Sequence, residues 1–223
     1  LNSIRYLRAL GVSLKKISLF FESRDVNVLR QLLREQMNDT DAQIEQLFRI
    51  RRKLQCRLDC LEDAMDSEIG IIRLQTFSER PIFFLRREIF LGDDLEYPIR
   101  ELERSNSSLE ASIFLGKVGL SIAKERLLSC QFDAFSSIFV LLEEGDTGKE
   151  NTDVLTAGEY LTIRLRGIHQ DAAPFYQKLF EYMKEHKLSC TGDSVEITLI
   201  DSGFTNDTKQ YVTELQIPVA PRS

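Results

Sequence analysis

The chain has 223 residues, 43% apolar and 29% charged, an ordinary globular composition with room for a small domain plus a helical appendage. Its net charge of −6 argues against a nucleic-acid-binding surface spread over the whole chain. No apolar run approaches the ~20 residues of a bilayer span and no cleavable signal pattern opens the chain, so a cytoplasmic location is expected. The first residue, Leu1, lies inside an amphipathic pattern and reads as the truncated start of something longer. Charge is unevenly divided: residues 1–66 carry a balance of +2 and the remainder −8. Such an acidic C-terminal part favours cationic ligands. Cys56, Cys60, Cys130 and Cys190 form no CxxC pair, and two histidines, His169 and His186, leave no His-rich metal site. Cys56 and Cys60 lie one helical turn apart but have no third ligand nearby, so no metal is expected.

Residues 2–10 read as a helix with Ile4, Leu7 and Leu10 on one face, ended by Gly11. Ser13 then caps a second short helix with the stripe Leu14, Ile17, Phe20 and Phe21. Residues 25–66 carry one long helical pattern without Gly or Pro. In it Met37, Ile44, Leu47, Leu54, Leu58, Leu61 and Met65 recur at spacings of three, four and seven, a coiled-coil seam. A second copy of the chain is the simplest cover for so long a stripe, so a homodimer is expected; the alternative is that the helix folds back on its own C-terminal domain.

Past Ser67–Gly70 the period changes to alternation. Strands are expected at Ile69–Phe77 and Arg80–Phe90, a helix at Asp93–Arg104 with Asp93 near its cap, and a polar turn at Ser105–Ser108. A strand interrupted by Gly116 and Gly119 comes next at Ile113–Ile122, then one at Phe135–Leu142 and a polar loop at Glu143–Asp153. The last elements are a strand at Tyr160–Arg166, a helix at Asp171–Lys187 with Pro174 in its first turn, and strands at Ser194–Ile200 and Gln210–Val219. The segments beginning at Pro81 and Glu159 both run strand, acidic turn, helix, with Tyr close to Pro in each helix, which suggests a duplicated β-α-β-β unit. The expected fold is therefore α+β: short N-terminal helices and a long dimerisation helix over 1–66, then at 69–220 a duplicated β-α-β-β domain with an antiparallel sheet and two main helices.

The phrase "IRYLRALGVSLKKISLFF" and the long helix after it resemble the part of MerR-type transcription regulators that lies C-terminal to the winged helix-turn-helix. On that resemblance the helix-turn-helix itself would be missing, and promoter DNA would be reached only through the missing part. The stretch from Leu155 to Val219, with "GEYLTIRLRG", "DSVEITLID" and "TELQIPV", resembles the gyrase-inhibitor-like effector domain of multidrug-sensing MerR regulators; over 69–142 the resemblance rests on element order. It implies binding of lipophilic cations and other hydrophobic compounds, which in full-length regulators untwists promoter DNA and activates an efflux gene.

Such binding needs flat apolar walls and one buried negative charge. Glu196 is the candidate charge: it lies inside the apolar strand Val195–Ile200 and shares a face with Thr198. The resemblance implies an acidic residue there that pairs with the ligand cation. Read from alternation alone, Glu196 could equally be a rim carboxylate on a solvated face. If the last two strands form a hairpin centred on Gly203–Phe204, paired residue numbers sum to about 407, which sets Tyr211 opposite Glu196, roughly 5 Å away at Cβ. The resemblance also implies a pocket Tyr at that position. Tyr160, Tyr176, Tyr97 and Phe175 are further candidates for the cleft, although aromatics on helix stripes are more often core. Glu214 falls on the face opposite Tyr211 and outside the pocket, and His169 reads as a turn residue rather than a base. Val195 stands where many relatives carry a tryptophan, which implies a wider or less stacking cavity.

The expected function is the effector-sensing, dimerising part of a MerR-type regulator, without cofactor or metal. An alternative is a small-molecule hydrolase with Glu196 as base and Tyr211 orienting a water. The chain has no GxSxG, HExxH or P-loop, and a stand-alone hydrolase has no need of the long helix. A third reading is a partner-binding module acting through sheet edges or the acidic surface.

Overall fold

The computed structural model describes residues 2–105, 118–142 and 151–222. The chain divides into two compact units, 1–55 and 56–223, with the division inside the longest helix.

In the first unit, α1 (Asn2–Ala9) and α2 (Leu14–Ser23) pack with the start of α3 (Val26–Met65). Leu7, Val12, Ile17 and Leu32 are buried together there, with Phe20, Phe21, Leu29 and Leu33 packed around them. Ser13 caps α2, its hydroxyl accepting from the Lys16 N–H. At 40 residues α3 is about 60 Å long at 1.5 Å per residue. The seam residues Met37, Ile44, Leu47, Leu54, Leu58 and Met65 are all exposed on it. Leu61 departs from the seam expectation. It is half-buried and, with Ala64, packs on the β-domain cluster of Ile82, Phe139, Tyr160, Val195 and Ile197, because the last turns of α3 belong to the second unit.

The second unit is one antiparallel sheet, with its later helices on one face and the last turns of α3 against the other. Its strands are β1 (Ile72–Phe77), β2 (Arg80–Phe90), β3 (Val118–Ser121), β4 (Ala134–Leu141), β5 (Thr152–Leu155), β6 (Gly158–Arg166), β7 (Leu188–Cys190), β8 (Val195–Ile200) and β9 (Val212–Pro221). They lie in the order β1-β6-β9-β8-β3-β4-β2-β5, with β7 paired to β9. The helices are α4 (Glu96–Ser105), α5 (Lys124–Leu128) and α6 (Ala173–Glu185). The duplication is visible in this order. β2-α4-β3-β4 and β6-α6-β8-β9 are the same β-α-β-β path, and their matching middle strands β3 and β8 meet at the centre, Leu120 opposite Glu196. Gly119 lies at this junction because a Cβ there would come within 2.3 Å of the buried Phe139 ring. Beneath the helices Leu102, Leu120, Leu127, Ile138, Leu161, Ile163, Tyr176, Leu179 and Leu215 form the main core.

Several boundaries differ from the sequence expectation for local reasons. α4 begins at Glu96, because Asp93 accepts the Phe90 N–H in the preceding turn and Asp94 accepts the Glu96 N–H. α6 begins at Ala173, after a 3-10 turn at His169–Asp171. Part of the expected 143–153 loop is strand: Thr152–Leu155 adds to the edge of β2, Arg80 opposite Leu155. Residues 143–150, the turn at 106–108 and the first part of the expected 113–122 strand, with Gly116, lie outside the described residues.

The largest correction is the β8–β9 register. Glu196 faces Leu215 and Thr198 faces Thr213, four residues from the expected pairing. The connection is not a tight hairpin: Asp201 holds a turn through the Gly203 N–H, and Asp207 caps a second 3-10 turn at Thr208–Gln210. β9 therefore starts at Val212, and Tyr211 lies before it, its carbonyl accepting from the Gly167 N–H. A shift of four keeps strand parity, so the side of the sheet assigned to Glu196 is unaffected.

Candidate functional site

Glu196 has no solvent exposure, although it sits in the middle of a strand of Val, Ile, Thr and Leu. A buried carboxylate must be met by donors. Its Oε1 lies 2.5 Å from His169 Nδ1, and its Oε2 accepts from the Tyr176 hydroxyl at 2.9 Å. Tyr176 Oη is also 3.0 Å from Ser194 Oγ, which accepts the Ile122 N–H. Burial first, and then the neighbouring Glu196 charge, push the Tyr176 pKa well above the ordinary tyrosine value, so the phenol keeps its proton. On the far side of the imidazole, Nε2 is 3.0 Å from Thr198 Oγ1. Thr213 donates its hydroxyl to the Gly167 carbonyl, leaving its oxygen to face Thr198 at 3.4 Å.

The local sequence explains the placement. Ser194, Glu196 and Thr198 recur with period two and so project to the same, helix-covered side of the sheet. Gly167 follows β6 at φ +129, where a Cβ would come within 2.3 Å of the Asp171 carboxylate that holds the Ile168 N–H. That turn carries His169 over Glu196. Aromatic rings surround the polar cluster: Phe132 stacks on Tyr176 at 5.0 Å, and Phe135 meets the His169 ring edge-on at 5.7 Å. The His169 side chain keeps 15% exposure, so among the described residues the imidazole is the one partner of Glu196 that reaches solvent.

Of the residues proposed from sequence, Tyr176 alone is brought against Glu196. Tyr211 lies outside β9 and pairs with no residue of β8. Tyr160 is on the opposite face, its hydroxyl donated to the Thr156 carbonyl, and lines a cleft of about 510 Å³ there. Tyr97 is exposed with Arg87 5.0 Å over its ring, and Phe175 is half-buried beneath Lys178. Glu214 is buried on the opposite face and ion-paired to Arg164 Nε at 2.6 Å. Arg164 also meets Asp63; burial opposes its charge, but Asp63 and Glu214 outweigh that and raise its pKa. The members of this network that the sequence does not announce are His169, which meets Glu196, Ser194, which meets Tyr176, and Thr198, which meets His169. The alternation Ser194-x-Glu196-x-Thr198 signals the second and third. His169 is in a turn, as expected, yet its ring reaches 27 residues along the chain to the carboxylate. Among the described residues no group of three or more His, Cys, Asp or Glu could hold a metal ion.

Comparison with known proteins fits this geometry. Residues 72–220 match the family model described as GyrI-like small molecule binding domain, and residues 1–56 match the model described as MerR, DNA binding. The second match corrects the expectation that the DNA-binding part is missing and that promoter DNA is reached only through an absent segment. The region is within the chain, where α1, α2 and the start of α3 build their own apolar core. The chain is 19% identical over 206 residues to the multidrug-efflux transporter 2 regulator of Bacillus subtilis (strain 168), covering 89% of this chain and 71% of that protein. In fold it is similar to EcmrR in its DNA complex solved by cryo-electron microscopy, with TM-score 0.53, 15% identity and coverage of 99% of this chain and 82% of that one. It is also similar to a hydrolase from Listeria innocua, with TM-score 0.50, 12% identity and coverage of 71% and 96%. The chain belongs to the GyrI-like small molecule binding domain family, carried here behind a MerR-type DNA-binding region.

Proposed function

We propose that this chain acts as a dimeric, effector-sensing MerR-family transcription regulator, and that a hydrophobic cation binds it by taking the place of His169 against Glu196. The observation that carries this reading is a fully buried carboxylate, walled by aromatic rings, whose one partly exposed partner among the described residues is an imidazole. A cation with flat apolar groups entering at that edge recovers the pairing energy of the buried charge and stacks on the same rings. The relative in Bacillus subtilis is a multidrug-efflux regulator, which supports the same ligand class.

The experiment is isothermal titration of the chain with tetraphenylphosphonium. Glu196→Gln is expected to weaken binding about thirtyfold or more, since truncating one partner of a buried charge pair costs about 2 kcal/mol or more. Undiminished binding to that variant would sink the reading. Mass spectrometry after hours of incubation is expected to return intact ligand; turnover would instead favour the hydrolase alternative. The exposed seam of Met37, Ile44, Leu47, Leu54, Leu58 and Met65 supports a homodimer along α3, which Leu47→Glu should dissociate in light scattering.

A further inference from the structure

A cleft of about 720 Å³ lies between α5, the last turns of α6, β7 and the residue after β9. Local structure builds it. On α6, Phe180, Met183 and Lys184 share a face by their spacing of three and four, and on α5 Lys124 and Leu128 do the same. Each helix therefore brings apolar surface and one ammonium to the same hollow. Lys187, in the left-handed region at φ +54, turns the chain from α6 into β7, and β7 pairs with β9, Leu188 opposite Pro221. One residue on, the Arg222 N–H donates to the Lys187 carbonyl at 2.7 Å, which holds Arg222 at the cleft.

The charge of this cleft runs against its surroundings. Residues 67–223 carry a balance of −8, yet Lys124, Lys184 and Arg222 line the cleft and, among the described residues, no carboxylate does. None of the three cations has an ion-pair partner among the described residues. Asp193 and Glu125 are close enough to act on the Cys190 thiol at the wall, but neither lines the cleft, and Asp193 accepts the Lys124 N–H at 2.9 Å. Lys184 and Arg222 are exposed and Lys124 is half-buried, so a ligand can reach the cationic heads from solvent. The volume falls in the range of small-molecule sites.

Three positive heads match a doubly charged anion better than a singly charged one. A phosphate monoester carries about two negative charges at neutral pH and three acceptor oxygens. Arginine offers it a fork and the lysines offer point charges. The adaptable Met183 and the leucine side chains suit a flexible chain. We propose that this cleft binds a free amphipathic phosphate monoester, its phosphate among Lys124, Lys184 and Arg222 and its alkyl chain along Phe180, Met183 and Leu188. No residue of the cleft belongs to the Glu196 network, so the proposal stands or falls independently of that reading.

The test is calorimetric titration of the whole chain with octyl phosphate, octyl sulfate, 1-octanol and inorganic phosphate. Octyl phosphate is expected to bind about thirtyfold more tightly than 1-octanol, with octyl sulfate between them, and inorganic phosphate should bind more weakly than octyl phosphate. Lys184→Gln should weaken octyl phosphate about threefold, and the triple variant with Lys124→Gln and Arg222→Gln should bring it down to the affinity of 1-octanol. No binding of octyl phosphate, equal affinity for 1-octanol, or undiminished binding to the variants would overturn the proposal. Binding to vesicles of phosphatidic acid without binding of octyl phosphate would also overturn it, in favour of a lipid surface. If the triple variant does not fold, Lys184→Gln, at an exposed position of α6, decides alone.

Discussion

The two β-α-β-β halves of the second unit share one backbone path but treat their middle strands differently. In the first half the helix-covered side of β3 shows Leu120, with Ile122 after it, both buried in the main core. In the second half the equivalent side of β8 shows Glu196 and Thr198, flanked by Ser194. Because the halves meet at Leu120 opposite Glu196, one apolar and one acidic side chain sit side by side at the centre of the sheet. Duplication supplies the scaffold twice, and the buried polar cluster lies on one copy. The partners share the same asymmetry: Tyr176 comes from the second half's helix α6 and His169 from the turn before it, while the first half's helix carries Tyr97 on the exterior.

The comparison breaks most sharply if the apolar half is made acidic. Leu120→Glu sets a second carboxylate beside Glu196 with no imidazole or phenol to meet it. It is expected to destabilise the domain by about 4 kcal/mol in urea unfolding; a loss below about 1 kcal/mol would mean that the two sides of the junction are equally tolerant of charge. Next in size is Tyr176→Phe, which removes a donor to a buried carboxylate and should lower stability by about 2 kcal/mol near neutral pH. Its pH dependence sharpens the point. The folded-state pKa of Tyr176 is raised above 10.0, so its share of stability is full below that value and is lost as pH rises through and beyond it. The variant should show a shallower alkaline decline than the unaltered chain, and identical alkaline profiles would contradict the assignment. The smallest effect is in the thiols. Cys130 of the first half is exposed, whereas Cys190 of the second is buried, with its pKa raised chiefly by burial. Maleimide labelling and peptide mapping should find Cys130 modified within minutes and Cys190 only on unfolding.

Much of this is legible in the sequence, and the omissions have physical causes. The change from helical to alternating period after Ser67, the duplicated unit and the acidic residue inside an apolar strand are local patterns, and each appears in the structure. Tyr211 lies away from its expected place because register depends on the intervening loop. Two aspartate-held turns, at Asp201 and Asp207, occupy residues that a tight hairpin would have left in the strand. His169 is hidden from a sequence reading because its contact with Glu196 is set by the Gly167 turn and the packing of α6, neither of which has a periodic signature. Leu61 matches the seam by spacing alone, but the end of α3 is claimed by the β-domain cluster. The DNA-binding region shows in the sequence only as a pair of short amphipathic helices, a pattern that fits the interior of such a region as well as its C-terminal flank. Periodicity fixes the apolar face of each helix and not its place in a larger domain, so the region is present where the helix pair alone suggests its loss.

Competition between an imidazole and a ligand cation for one buried carboxylate is the central claim. A double-mutant cycle measures it: tetraphenylphosphonium affinity of the unaltered chain, His169→Ala, Glu196→Gln and the double variant. His169→Ala is expected to raise affinity about tenfold in the unaltered background and to change nothing once Glu196 is Gln. An equal gain in both backgrounds, or wild-type affinity in Glu196→Gln, would contradict the claim.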